Sequence, residues 1–126
     1  MAAPGIVDEF EELSAELVKT SPDDDPLIHG AMLYRLGRYR ESADTLARCV
    51  DASVEPENEV FLEEQCCARY FLAMARQQQS QTFQAKRLLE EARIQGQAIG
   101  SRPDLLWRWR VELDALRREA IALIDP

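Results

Sequence analysis

The apolar side chains of this 126-residue chain recur at every third or fourth position over most of its length. That spacing places them on one face of an α-helix. The first such stripe comprises Ile6, Phe10, Leu13 and Leu17. No run alternates between apolar and polar residues in the way that a half-buried β-strand requires. The pattern therefore predicts an all-α protein of about six helices.

Residues that break helices divide this pattern into segments. Pro22 and Pro26 enclose three aspartates, and this cluster separates the first helix from the second. Gly37 ends the second helix, because glycine is favoured where the closing residue adopts a positive φ. The loop at 51–58 and the turn at 77–81 separate the next helices. The predicted helices span residues 6–20, 26–36, 39–50, 59–78, 82–98 and 103–124.

The same spacing assigns inward faces to the later helices. In the fourth helix it predicts that Ala68, Leu72 and Ala75 are buried, and in the fifth that Phe83 and Leu89 are buried. Two glycines are expected to mark the fraying end of the fifth helix; these are Gly96 and Gly100.

The last predicted helix has the most regular stripe, with alternating spacings of three and four. Two and a half heptads are too short to establish a coiled coil. We expect this helix to lie on the fourth and fifth helices as a cap. The stripe comprises Leu106, Trp109, Leu113, Leu116, Ala120 and Leu123.

Two segments of the chain repeat with an offset of 43 residues, measured from Gly37 to Ser80. Small residues and leucines recur at matching places after each turn, as Leu46 and Leu89 illustrate. A helical hairpin that repeats in this way is typical of a solenoid, in which each unit packs on its neighbours.

The first hairpin resembles the tetratricopeptide repeat family. In that family a small residue lies where the two helices cross, and Gly30 matches that position. Gly37 and Tyr39 match the glycine and the aromatic residue of the turn. Pro26 and His29 depart from the pattern, because the family has an aromatic residue and a leucine there.

Longer strings, covering about residues 22–124, look like the tetratricopeptide segments of planctomycete-type multidomain proteins. Those segments often lie beside serine/threonine kinase domains, although this chain contains no kinase motif. The strings are GAMLYRLGRYRESADTL, YFLAMARQQQ and WRWRVELDALRREAIALI.

This resemblance implies one domain, residues 1–126, folded as a right-handed α-α superhelix. It also implies a scaffold that binds proteins or peptides, and a regulatory segment of a larger signalling protein is one form that such a scaffold takes. The implied units are a half repeat at 6–20, a first hairpin at 22–56, a second hairpin at 59–98 and a capping helix at 103–124.

A concave groove is the binding surface that the resemblance implies, because the first helices of successive hairpins line it in that family. Tyrosine, methionine and glutamine side chains would make an adaptable surface for a peptide. A basic rim from the last helix would favour an acidic peptide or a C-terminal carboxylate. The alternative is that Tyr34 and Tyr70 only contact each other and the last helix. The expected groove and rim residues are Ala31, Tyr34, Arg35, Cys67, Tyr70, Met74, Gln77, Gln78, Arg110, Asp114 and Arg117.

The net charge of −8 is unevenly distributed along the chain. Residues 1–25 carry one basic and eight acidic side chains, whereas residues 66–126 carry ten basic and seven acidic ones. An acidic chain argues against a general affinity for nucleic acid or for anionic membranes. The asymmetry could orient the domain on a partner, or it could reflect ordinary solvated helix faces.

The reactive residue types do not form a recognisable catalytic or metal site. His29 is the only histidine, and the three cysteines, Cys49, Cys66 and Cys67, form no CxxC pair. We therefore expect no enzyme activity, no metal and no cofactor. Unpaired cysteines and the absence of a signal-like or membrane-spanning stretch favour a cytoplasmic location.

One pattern favours a second function. Trp107 and Trp109 alternate with Arg108 and Arg110, and aromatic side chains interleaved with basic ones suit single-stranded nucleic acid. Trp109 lies on the apolar stripe, which favours packing instead. The sequence thus leaves two hypotheses, a peptide-binding module and an RNA-binding helical repeat.

Overall fold

The computed structural model describes residues 26–51, 59–101 and 107–126, without the side chains of 59–61. The predicted helix at 6–20, the loop at 52–58 and the start of the predicted cap lie outside these residues. Within them the chain is all-α, which confirms the predicted class. The five described helices are α1 (Pro26–Arg35), α2 (Tyr39–Asp51), α3 (Glu59–Gln78), α4 (Thr82–Gly100) and α5 (Trp107–Ile124).

A glycine turn joins α1 to α2. Gly37 adopts the positive φ that its position predicts, at 81°. Its amide donates to the carbonyl oxygen of Tyr34 at 3.0 Å, and the amide of Arg38 donates to that of Leu33 at 2.9 Å. These two bonds form a Schellman motif, which satisfies the last carbonyl groups of α1.

The turn between α3 and α4 has the same construction 43 residues later. Ser80 takes the place of glycine and adopts a φ of 64°. The amide of Ser80 donates to Gln77 at 3.0 Å, and that of Gln81 donates to Arg76 at 2.9 Å. The repeat seen in the sequence is therefore a repeat of backbone hydrogen bonds.

The two helices of the first hairpin pack closely where they cross. A Cβ atom on Gly30 would lie 2.6 Å from Leu46, so only glycine fits beside this leucine without a shift. The hydroxyl of Ser42 donates to the carbonyl oxygen of Gly30 at 2.7 Å. In the second hairpin Ala73 and Leu89 hold the corresponding places, and both are buried.

Helix α3 lies at the centre of the described fold and packs against the other four helices. Its predicted inward residues Ala68, Leu72 and Ala75 are buried. Its other faces are buried as well, because α5 covers the side that the prediction left open. Further buried residues of α3 are Cys66, Cys67, Tyr70, Ala73 and Met74.

Helix α5 is the last predicted helix, and α3 and α4 are the fourth and fifth. Helix α5 packs on α3 and α4, as predicted. Leu113, Leu116 and Ala120 from its stripe are buried, and Trp109 and Leu123 pack partly buried at the edge of the core. None of the described helices combines the length and the apolar character needed to cross a lipid bilayer.

Two expectations about α4, which is the fifth predicted helix, are wrong. Phe83 is 82% exposed and is not a core residue; it lies in the first turn of the helix, on the outer side. Gly96 does not mark a fraying end, because α4 continues through it to Gly100.

Candidate binding clefts on either side of α5

Helix α5 divides the predicted groove into two clefts. One lies between α4 and α5, with Tyr70 of α3 in its lining, and the other lies between α1 and α5, with Cys67 and Phe71 of α3 in its lining. Ala115 contributes to the lining of both. The open groove along α1 and α3 is therefore corrected to two separate surfaces, which we name the α4–α5 cleft and the α1–α5 cleft.

The two central residues of the predicted groove are buried. Met74 is 0% exposed, so it belongs to the core and cannot contact a partner. Tyr70 is 1% exposed and still lines the α4–α5 cleft. Placing these side chains on an open surface was wrong, because α3 is covered on that side as well.

The other predicted groove residues of α1 and α3 lie apart from Tyr70. Tyr34 is buried against the rings of Tyr39 and Phe71, with ring centroids 5.4 and 5.9 Å away. Gln78 is exposed and forms a hydrogen bond with Tyr34, and Gln77 is half-buried. Tyr34, Gln77 and Gln78 line neither cleft, whereas the predicted groove residues Ala31, Arg35 and Cys67 line the cleft between α1 and α5.

The α1–α5 cleft has a volume of about 530 Å³ and is largely apolar. Arg35 binds Glu119 in a two-pronged ion pair, with N–O distances of 2.6 and 2.9 Å. The guanidinium of Arg35 also lies over the ring of Phe71, 5.4 Å from its centroid. Two ion pairs thus lie along this cleft, Arg35 with Glu119 and Arg108 with Glu112. Its apolar lining includes Leu27, Ile28, Ala31, Phe71, Trp109 and Leu116.

The α4–α5 cleft is larger, about 790 Å³, and it is basic. One aspartate and four arginines line it among the described residues, which gives these five a formal charge of +3. Arg110, Asp114 and Arg117, which were expected at the rim of the single groove, line this cleft. The four arginines are Arg93, Arg110, Arg117 and Arg118.

Asp114 organises two of these arginines. Its oxygens lie 2.7 Å from Arg117 and 3.0 Å from Arg118. The hydrogen bond from Arg117, assisted by the charge of Arg118, lowers the pKa of Asp114. One carboxylate therefore pairs with two guanidinium groups on the α5 side of the cleft and leaves one positive charge of this trio uncompensated.

The α5 wall of this cleft carries exposed apolar side chains. Trp107 is 77% exposed and Val111 is 48% exposed, and both line the cleft. They are four residues apart, so they lie on the same face of α5. Tryptophan and arginine are enriched among the residues that contribute most of the binding energy in protein interfaces.

The floor of the cleft holds the hydroxyl of a buried tyrosine. A Cβ atom on Gly96 would lie 3.5 Å from the Tyr70 hydroxyl, so this group is next to the wall that Gly96 forms. Within the part of the chain that the structure describes, the hydroxyl makes no hydrogen bond. Burial raises the pKa of Tyr70 to about 12, against the effect of Arg117 and Arg93, which lower it. The hydroxyl is not one of the fully buried polar atoms without a partner, so it reaches the cleft and can donate a hydrogen bond there.

The two adjacent cysteines of α3, Cys66 and Cys67, do not supply a reactive group. Burial raises the pKa of the Cys66 thiol to about 12, and that of Cys67 is raised further by burial and by Cys66. Cys66 donates weakly to the carbonyl oxygen of Ala92 at 3.4 Å. Thiols that stay protonated are poor nucleophiles and poor metal ligands. Among the residues with described side chains, no group of three metal-binding types comes together.

Comparison of the chain with family models, with curated proteins and with solved structures finds no match.

Sequence reasoning missed two arginines of the α4–α5 cleft and its glycine wall. Arg93 and Arg118 are on helices whose outer faces carry other charges, and helical spacing alone does not show that they face each other. The excess of basic residues over 66–126 was the available signal. It becomes specific only once α5 is placed beside α4.

Proposed function

We propose that this chain is a protein- or peptide-binding module of the cytoplasm, with the α4–α5 cleft as its binding surface. The observation that carries the proposal is a basic cleft that combines an exposed tryptophan with a tyrosine hydroxyl that can donate a hydrogen bond. A regulatory segment of a larger signalling protein is the setting in which such a module would act.

A tetratricopeptide-like architecture is part of this proposal. Its support is the 43-residue repeat of the closing turn, from Gly37 to Ser80, and the close helix crossing at Gly30. Solenoids of paired helices present extended surfaces to partners, and their terminal helices cover the exposed end of the core. Helix α5 covers α3 and α4 in this way and contributes one wall of the cleft.

The lining of the cleft favours a peptide over a small metabolite. Its two walls belong to different helices, and the exposed Trp107 stands at its edge. An apolar side chain of a peptide could pack on Trp107 and Val111 while its polar groups meet the arginines. Such a mixture of an aromatic anchor and a charged rim is typical of interfaces with protein segments.

Peptide display tests the proposal directly. Random 16-residue peptides would be selected on the purified chain, and the enriched ones would be measured by fluorescence anisotropy. We expect Trp107→Ala to weaken their binding at least tenfold, because it removes the aromatic anchor. Phe83→Ala is the matched control, since Phe83 is an equally exposed aromatic residue that does not line the cleft. Failure to enrich any peptide, or equal effects of the two substitutions, would reject the proposal.

An RNA-binding repeat is the second candidate, and the exposure of Trp107 among arginines favours it. Single strands stack bases on such side chains and release counterions on binding. A titration with single-stranded RNA of mixed sequence at several salt concentrations separates the two functions. Saturable binding with a steep salt slope, lost in Trp107→Ala, would replace the peptide proposal by this one.

A further inference from the structure

We propose that the floor of the α4–α5 cleft is a subsite for a single carboxylate group of an acidic peptide, held by the Tyr70 hydroxyl, Arg93 and Arg117. The inference rests on the proposed function, because it names the chemistry of the partner at the same cleft. It goes beyond an overall preference for acidic partners by assigning the three groups that contact the anion.

Three donors from three different helices line this cleft. Tyr70 comes from α3, Arg93 from α4 and Arg117 from α5, and all three line the cleft. Both arginines act electrostatically on the Tyr70 hydroxyl, where their positive charges favour the ionised form. The Tyr70 side chain is 1% exposed and lines the cleft, and no hydrogen bond joins its hydroxyl to the described residues, so the hydroxyl can donate to a ligand oxygen. A carboxylate accepts such bonds from a hydroxyl and from guanidinium groups together.

The two glycines of α4 leave room above this floor. Glycine inside a helix costs stability relative to alanine, so packing usually explains its presence. Packing does not explain it here. A Cβ atom would meet nothing within 4 Å at Gly100, and at Gly96 it would make only ordinary contacts with Tyr70 and Cys66. Both glycines line the cleft, so the missing side chains leave the floor open to a ligand.

The charge of the floor fits a carboxylate better than a phosphoryl group. Asp114 is shared by Arg117 and Arg118, so that trio retains one positive charge. Arg93 has a loose partner in Glu90, 3.8 Å away, whose side chain is 64% exposed. A singly charged group balances this excess, whereas a phosphoryl group brings about two negative charges and exceeds it.

The first test uses small anions on the full chain at constant ionic strength. Sodium acetate should shift the side-chain Nε–Hε NMR signals of Arg93 and Arg117 in a saturable way, and sodium chloride should not. Tyr70→Phe should weaken acetate binding about tenfold, because it removes only the donor. Tyr34→Phe is the matched control, since Tyr34 is a buried tyrosine outside the cleft. Tighter binding of inorganic phosphate than of acetate would overturn the choice of a carboxylate.

The second test uses Gly96→Ala, whose effects on binding and on stability should have opposite signs. The added methyl group would stand over the Tyr70 hydroxyl, so acetate binding should fall several-fold. The melting temperature should rise, because alanine favours the helix. A mere packing defect would lower both quantities, and an unchanged acetate affinity would overturn the inference.

A third test separates this inference from the proposed function. Peptides enriched by display would be remade with Asn and Gln in place of Asp and Glu. A loss of affinity of tenfold or more supports the carboxylate subsite. Equal affinity of the neutral peptides, still lost in Trp107→Ala, would overturn the subsite and leave the peptide-binding function standing.

Discussion

The side chain of Leu46 fills the space beside Gly30 that a side chain at position 30 would need, at the crossing of α1 and α2. A Cβ atom built on Gly30 would lie 2.6 Å from both Cγ and Cδ2 of Leu46. Leu46 is 0% exposed, so its side chain has no solvent to move into. The hydroxyl of Ser42 also binds the carbonyl oxygen of Gly30 at 2.7 Å, which requires the two helices to stay at this separation.

Gly30→Ala should therefore destabilise the protein by about 2 kcal/mol, since overpacking forces core side chains off their rotamers. Urea denaturation followed by circular dichroism measures the change in unfolding free energy. Gly100→Ala is the control, because a Cβ atom there meets nothing within 4 Å. Equal stability of Gly30→Ala and the wild type would show that the crossing can widen at little cost.

Helix limits were predictable because breakers act locally. The limits predicted for α3, residues 59–78, agree with the structure, since an acidic sequence with a proline precedes them and a glutamine-rich turn follows the helix. The position of the α1–α2 turn followed from Gly37 for the same reason. Local chain chemistry also identified the apolar stripe of α5, because the spacing of that stripe depends only on its own helix.

Contacts between distant helices were not predictable in the same way. The stripe of α5 shows that the helix packs, but it does not show which side of α3 receives it. As a result Tyr70 and Met74 were placed on an open groove, and α5 and its neighbours bury both. Arg93 and Arg118 line one cleft only because α5 lies beside α4. The division of the groove into two clefts follows from the same position of α5.

Both closing turns require a positive φ, and they differ in how well their residues tolerate it. Gly37, at 81°, accepts this conformation without strain, whereas Ser80, at 64°, does not. Gly37→Val should destabilise by more than about 1 kcal/mol, because a β-branched residue resists positive φ. Ser80→Gly should stabilise by up to about 1 kcal/mol for the converse reason. Chemical denaturation of both variants measures these changes, and a Gly37→Val midpoint equal to that of the wild type would contradict the turn geometry.

Removal of residues 103–126 should leave an aggregating or molten protein. Helix α5 buries Leu113, Leu116 and Ala120 against α3 and α4, and its loss would expose their partners to water. Size-exclusion chromatography, ANS fluorescence and near-UV circular dichroism measure the outcome. A chain shortened only after Ile124 is the control, since residues 125–126 are exposed. A monomeric truncated protein with a cooperative melting transition would show that α5 is not needed to cover the core.

The Tyr70 hydroxyl should make stability fall at high pH. Burial raises the pKa of Tyr70 in the folded protein to about 12, from the ordinary tyrosine value of 10.0. Below pH 10 both states keep the proton, so Tyr70 adds no pH dependence there. As pH rises from 10 towards 12 the unfolded state loses this proton first, and the free energy of unfolding falls by about 2 kcal/mol. Urea denaturation of the wild type and of Tyr70→Phe across this range isolates the effect from that of Cys66, whose pKa also lies at about 12. Absorbance at 295 nm should show one tyrosine that ionises late, and that component should be missing in Tyr70→Phe. Parallel stability curves for the two proteins between pH 10 and 12 would show that the hydroxyl is open to solvent, and the floor of the α4–α5 cleft would then be a wetted surface without an unused donor.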